Sequence, residues 1–115
     1  MNMIRRERLT SETRALANKP HSGFMYVGRP SPWGNPFKID ADNNRADSVS
    51  AFEQYFWGQM QDYNPKAFVA FRENFLRAAR LAWKPGFGIT LLCYCRANEA
   101  CHADVLVTFL KERSK

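Results

Sequence analysis

The chain has 115 residues and a formal charge of +6, from 17 Lys and Arg against 11 Asp and Glu. That length bounds it to one domain, and 45% hydrophobic residues with 14% aromatics exclude a disordered segment. No apolar run approaches the ~18–20 residues of a membrane span, and three cysteines within nine residues exclude a disulfide framework.

No apolar stretch follows the basic start, so no secretory leader is expected, and a reducing cytoplasm is the expected compartment. Many cations fall early, at Arg5, Arg6, Arg8, Arg14, Lys19 and Arg29. A basic surface attracts phosphate-bearing partners, nucleotide or nucleic acid among them, although a charge of this size is also ordinary for a small domain. Residues 1–23 read as a basic N-terminal segment of the same domain, and 24–115 as its α/β core.

Met3-Ile4 before Arg5-Arg6 reads as a short edge strand or a frayed start, and the polar stretch 10–22 as irregular. Phe24-Met25-Tyr26-Val27 is aromatic and β-branched and stops at Gly28, which predicts a strand. Residues 28–37 are dense in Gly and Pro and predict a tightly restricted loop. Val49, Phe52, Phe56 and Met60 step by three and four, predicting a helix over about 48–63. Asn64-Pro65 is a favoured cap and first turn for a second helix. Its stripe is Phe68, Phe71, Phe75 and Ala79, and Lys84-Pro85-Gly86 ends it. Ile89 to Cys95 predicts a buried central strand. Asn98 is expected to cap a last helix over about 99–112, with Val105, Leu106, Phe109 and Leu110 buried. The order β-β-α-α-β-α gives a small sheet with helices packed on it.

The segment from Leu91 to Asp104 carries the most chemistry. Strand alternation places Cys93 and Cys95 on one face, and Cys101 and His102 fall at the start of the next helix. The carboxyl end of a strand in an α/β sheet is where ligands usually bind, and a helix start suits phosphate. Three readings compete. Cys101 is an activated thiol, lowered by the helix start and an imidazole. Alternatively Cys93, Cys95, Cys101 and His102 bind zinc. Their ligand types suit it, but C-x-C-x5-C-H is not a familiar spacing, and adjacent helical residues diverge by ~100°. In the third reading the cysteines are small buried apolar groups, which is favoured for Cys93 and Cys95. No metal or cofactor is therefore expected. Cys101, His102 and Asp104 are the candidate catalytic residues, and Tyr94 and Cys95 candidate ligand contacts.

In Gly28-Arg29-Pro30-Ser31-Pro32-Trp33-Gly34-Asn35-Pro36-Phe37, Gly28 and Gly34 are expected to supply unusual backbone conformations, and the prolines to stiffen the loop. Arg29 is suited to a bidentate anion contact, with Ser31 and Asn35 as polar partners. Trp33 either stacks on a base or closes the core. Arg45 is a second anion contact or a solvated charge. The loop matches neither the Walker pattern nor G-x-G-x-x-G.

Together the two segments resemble a bacterial and bacteriophage domain-of-unknown-function family, number 4326. Its signature is roughly G-R-P-S-x-W/F-G-N-P-F, then C-W-C-x-P-x-x-C-H-G-D-V-L. The first part matches throughout. In the second, Tyr94 replaces Trp, Ala103 replaces Gly, and the Pro is missing, while Cys95, Cys101, His102 and Asp104 remain. The resemblance spans about residues 24–110. It implies one shared site on a Rossmann-like domain, often carried by phages and then at work in the bacterial host cell.

Three functions are compatible with this. In the first, the crevice binds a nucleotide, a nucleotide-derived ligand or a nucleic-acid end. In the second, an enzyme hydrolyses or transfers at a glycosidic or phosphate bond of the same ligand class. In the third, a phage-type effector binds a host protein. No membrane partner is expected, and a protein partner or homo-oligomer is compatible with the sequence.

Overall fold

The computed structural model describes residues 3–37, 44–57, 65–96 and 98–113. In chain order the elements are β1 (Ile4–Arg8), α1 (Ser11–Leu16), β2 (Phe24–Tyr26), α2 (Arg45–Phe56), α3 (Pro65–Ala82), β3 (Ile89–Cys93) and α4 (His102–Arg113). The three strands form a parallel sheet in the order β1-β3-β2. Parallel pairing needs a crossover between strands, which α1 provides between β1 and β2, and α2 with α3 between β2 and β3. The class is therefore the expected α/β, with a small parallel sheet and helices.

All five residues of β3 are buried, as a central strand demands, and β1 and β2 flank it. Ile4 pairs with Ile89 and Arg8 with Cys93, while Tyr26 pairs with Leu92. This register brings the carboxyl ends of all three strands level. The amide of Leu9 then donates to Cys93 O at 2.7 Å, and that of Val27 to Leu92 O at 2.9 Å. At the other end Gly88 has φ +92°, and a Cβ there would meet Met3 O at 2.0 Å, so only glycine lets β1 enter beside β3.

Several boundaries differ from those read in the sequence. The stretch 10–22 is not irregular throughout, because α1 forms over Ser11–Leu16. Thr10 Oγ1 accepts from Thr13 N at 3.1 Å and Thr13 Oγ1 from Thr10 N at 2.9 Å, a reciprocal cap with threonine in the usual glutamate position. α2 starts at Arg45 rather than 48, because Asn44 Oδ1 accepts from Asp47 N at 2.9 Å. It ends at Phe56, and the predicted continuation past Trp57, with Met60, lies outside the described residues. Pro65 opens α3 as expected; Asn64 lies outside the described residues.

β3 stops at Cys93, so Cys95 is not a strand residue, and α4 starts at His102 rather than 99. Asn98 is not its cap. Cys101 holds that place, with Asp104 N donating to Cys101 O at 3.0 Å. Between the two elements Arg96 N donates to Glu99 Oε1 at 2.8 Å.

The core is aromatic. Phe52, Phe56, Phe75 and Phe109, from three helices, are fully buried and meet edge-to-face or tilted. Among the described residues no helix is long and apolar enough to cross a membrane.

Candidate functional site

Because β2 and β3 end level, the chain leaving each turns outward at the same edge of the sheet. The result is a cleft of about 410 Å³ lined by residues of both motif segments. Gly28, Arg29 and Asn35 come from the loop after β2, Arg45, Ser48 and Val49 from α2, Cys93 from the end of β3, and Tyr94 and Cys95 from just beyond it. Ala100, Cys101 and His102 complete the lining.

The loop wall is fixed from within. Arg29 Nε donates to Asn35 O at 2.6 Å and Nη2 to Phe37 O at 3.4 Å, folding the loop around its own guanidinium. Asn35 is buried; its amide nitrogen donates to Ser48 Oγ at 2.9 Å and Ser48 O at 3.3 Å, and its oxygen accepts from Phe37 N at 2.8 Å. Ser48 in turn donates to Phe37 O. Neither Gly28 nor Gly34 is in the left-handed region, which corrects the reason given for them. Space around them is tight: a Cβ at Gly28 would meet the Tyr26 hydroxyl at 2.6 Å, and one at Gly34 the Arg29 backbone at 3.1 Å.

The opposite wall carries the sulfur. Cys93, Cys95 and Cys101 are free thiols whose Sγ atoms all lie within 4.8 Å of one another. Cys101 Sγ is 3.5 Å from Cys93 Sγ and 3.7 Å from His102 Nδ1. His102 Nε2 lies 2.7 Å from Val27 O, and since a carbonyl only accepts, Nε2 carries the hydrogen and Nδ1 faces the thiol. Phe52 packs edge-on against the imidazole with centroids 5.1 Å apart. The Cys101 pKa is drawn down to about 3, first by the hydrogen bond it shares with Cys93, and further by His102, Cys95 and the Ala103 N–H, against the opposing effect of burial. Cys93 is pushed up, first by that shared hydrogen bond and then by burial; Cys95 is raised first by burial and then by Cys101. Negative charge therefore concentrates on one sulfur of three.

Two arginines hold this wall. Arg45 reaches Glu99 Oε2 at 3.0 Å, Cys95 Sγ at 3.4 Å and Ala100 O at 3.4 Å. Arg6 donates to Glu99 O at 3.1 Å and Arg96 O at 3.2 Å, pairs with Asp104 Oδ1 at 3.4 Å, and stands beside Cys101. Arg6 escaped the sequence reading as a site residue. Strand alternation held the signal, because Ile4 points inward and Arg6, two residues on, shares its face.

Of the candidate residues, Gly28, Arg29, Asn35, Arg45, Tyr94, Cys95, Cys101 and His102 line the cleft. Ser31, Trp33 and Gly34 do not. Trp33 closes the core instead, edge-on to Phe71 and Phe75 at 5.5 and 5.4 Å, and Ser31 Oγ is buried without a hydrogen-bond partner. Asp104 is turned away, exposed beside Arg6, and borders a separate hollow of about 170 Å³ with Glu53, Trp57 and Thr108. Tyr94 is 55% exposed, its hydroxyl held by Arg14 Nη2 at 3.2 Å and its ring edge-on to Tyr26. Ser48, Val49, Cys93 and Ala100 line the cleft without having been expected to bind ligand.

No curated protein and no solved structure matches the chain. The family described as "Domain of unknown function (DUF4326)" matches residues 10–112, a span that takes in both motif segments and also α1, upstream of the expected limit. By that match over nearly its whole length, the chain belongs to the DUF4326 family.

Proposed function

We propose that the chain binds a phosphate-bearing ligand of the nucleotide class, free or at a nucleic-acid end, in the cleft between the Gly28–Phe37 loop and the Cys93–His102 corner. One observation carries this reading: both family motifs, some sixty residues apart in sequence, line the same cleft, with Arg29, Arg45 and the half-exposed Tyr94 among its walls. A guanidinium suits phosphate, and an open aromatic face suits a base. Cys101 already caps α4, so in this reading the phosphate lies against the two arginines rather than on the helix start. The domain is read as Rossmann-like, because its parallel strands carry the cleft at their carboxyl ends. Three free cysteines fit a reducing cytoplasm. Isothermal titration against a panel of nucleotides and short oligonucleotides tests the proposal; heats of binding for at least one are expected, and flat traces for all would remove it.

A second reading, hydrolysis or group transfer on the same ligand, is favoured by the Cys101–His102 contact, a sulfur of lowered pKa beside an imidazole whose other nitrogen is fixed by Val27. Asp104 has no part in it. Mass spectrometry of a nucleotide mixture incubated with wild type, Cys101→Ser and His102→Ala checks it. Identical product profiles for the three proteins would leave no catalysis to explain.

A further inference from the structure

We propose that Cys93, Cys95 and Cys101 together bind a zinc ion in the sulfur-bearing wall of the cleft, with the fourth coordination position open to the cleft. The inference rests on the ligand reading above only in that the open position adjoins the same cleft.

The sulfurs converge from three different places: the end of β3, just beyond it, and the residue ahead of α4. A tetrahedral zinc holding thiolates at ~2.3 Å spaces its sulfurs by ~3.8 Å. Here one pair stands at 3.5 Å and all three lie within 4.8 Å. The ~100° divergence of Cys101 and His102 does not bear on this ligand set, because the helix begins at His102 and the three ligands are the sulfurs alone.

The surroundings of the sulfurs form the second, independent observation. Thiols buried as small apolar groups need no cations aimed at them. Arg45 Nη1 lies 3.4 Å from Cys95 Sγ, and the Arg6 guanidinium, held by Glu99 O and Arg96 O, stands beside Cys101. Three thiolates on a divalent ion carry a net negative charge, and N–H donors on the sulfurs are the outer shell such a site requires. His102 is part of that shell. Its Nδ1 stands 3.7 Å from Cys101 alone, and its Nε2 is committed to Val27 O. Among the described residues the converging ligand-type atoms are the three sulfurs. Since all three line the cleft, the remaining position takes water or a donor atom of the bound ligand. Soft thiolates with a tetrahedral vacancy select zinc over hard cations. The ion also removes Cys101 from the role of free nucleophile.

The test is elemental analysis of the full chain purified without chelator, followed by exchange with cobalt(II), whose thiolate charge-transfer and tetrahedral d–d bands report the ligands. About one equivalent of zinc per chain is expected, with those bands after exchange. Cys95→Ser, at the least buried of the three positions, is expected to drop zinc below about a tenth of an equivalent with unchanged far-ultraviolet dichroism, whereas His102→Ala keeps most of it. Wild type with under about a tenth of an equivalent and no cobalt–thiolate band overturns the proposal, as does iron or copper in zinc's place. So does full retention by Cys95→Ser, or equal loss in His102→Ala. Nucleotide titration of the same samples keeps the two proposals apart. Zinc without nucleotide binding sinks the ligand reading alone, and nucleotide binding by a chain that takes no zinc sinks this one alone.

Discussion

Arg6 is the residue on which the cysteine corner depends. Its guanidinium reaches two carbonyls of the corner and the Asp104 carboxylate, stands beside Cys101, and its side chain is only 10% exposed. Removing it leaves those acceptors short of a donor, and charged hydrogen bonds contribute ~1.5–3 kcal/mol each. Arg6→Met is expected to cost ~2–3 kcal/mol in urea unfolding, and Arg6→Lys to recover little, since an ammonium cannot span the fork. A loss under ~0.5 kcal/mol would mean the corner holds itself. Tyr26 makes a second residue-scale case. Its hydroxyl donates to Arg29 O, and its pKa is pushed up to about 12, first by burial and then by Tyr94. An unfolded tyrosine titrates near ~10, so above that pH the folded chain keeps a proton the unfolded chain has released. The stabilisation is therefore complete below pH ~10 and is lost as pH rises towards 12. Urea midpoints of wild type and Tyr26→Phe, followed from pH ~8 to ~11.5, are expected to converge at the alkaline end; parallel curves would contradict the shift.

At the scale of elements, the motif loop is held to α2 by one buried amide and one hydroxyl. Asn35 and Ser48 satisfy each other and the Phe37 carbonyl and amide. Asn35→Ala takes away the donor to Ser48 Oγ and leaves Phe37 N without its acceptor, which costs ~1–3 kcal/mol. Ser48→Ala costs a similar amount, and the double variant less than the sum, since the two act as one network. Additive losses in chemical denaturation would show that the loop is pinned elsewhere. This pairing also marks where the sequence was legible. The apolar stripes of α3 and α4 and the buried run of β3 were readable because burial imposes its period directly on residue type. The starts of α1, α2 and α4 were not, because each is set by a local cap: Thr10 with Thr13, Asn44 with Asp47, and Cys101, a residue with no capping preference. A cap is a choice between neighbouring hydrogen bonds, and composition leaves it open. Trp33 shows the same limit at a side chain, because nothing in Pro-Trp-Gly distinguishes an aromatic that stacks outward from one that meets Phe71 and Phe75.

Taken whole, the molecule places its reactive groups by register. β1, β2 and β3 all point the same way, and their pairing ends level at Arg8, Tyr26 and Cys93. Each chain leaving the sheet there becomes part of one rim: Arg6 behind it, the Gly28 loop on one side, the three thiols on the other. Parallel order is not encoded in any single segment, which is why the two motifs were readable one by one while their meeting had to be seen in the fold. The rim predicts how ligand and stability are linked. Tyr94 is 55% exposed and has the one open aromatic face among the described residues lining the cleft. Tyr94→Ala removes a stacking surface worth ~1–3 kcal/mol, so affinity for whichever nucleotide the panel identifies is expected to fall roughly 5- to 150-fold. The protein without ligand is expected to unfold within about 2 °C of wild type, because an exposed ring contributes little to the core. With ligand at a hundred times its wild-type Kd, wild type gains about 2.7 kcal/mol, and the variant at the same concentration only about 0.3–1.8 kcal/mol. Thermal unfolding with and without ligand reads both quantities, and an equal rise in midpoint for the two proteins would show that the ligand does not lie on Tyr94.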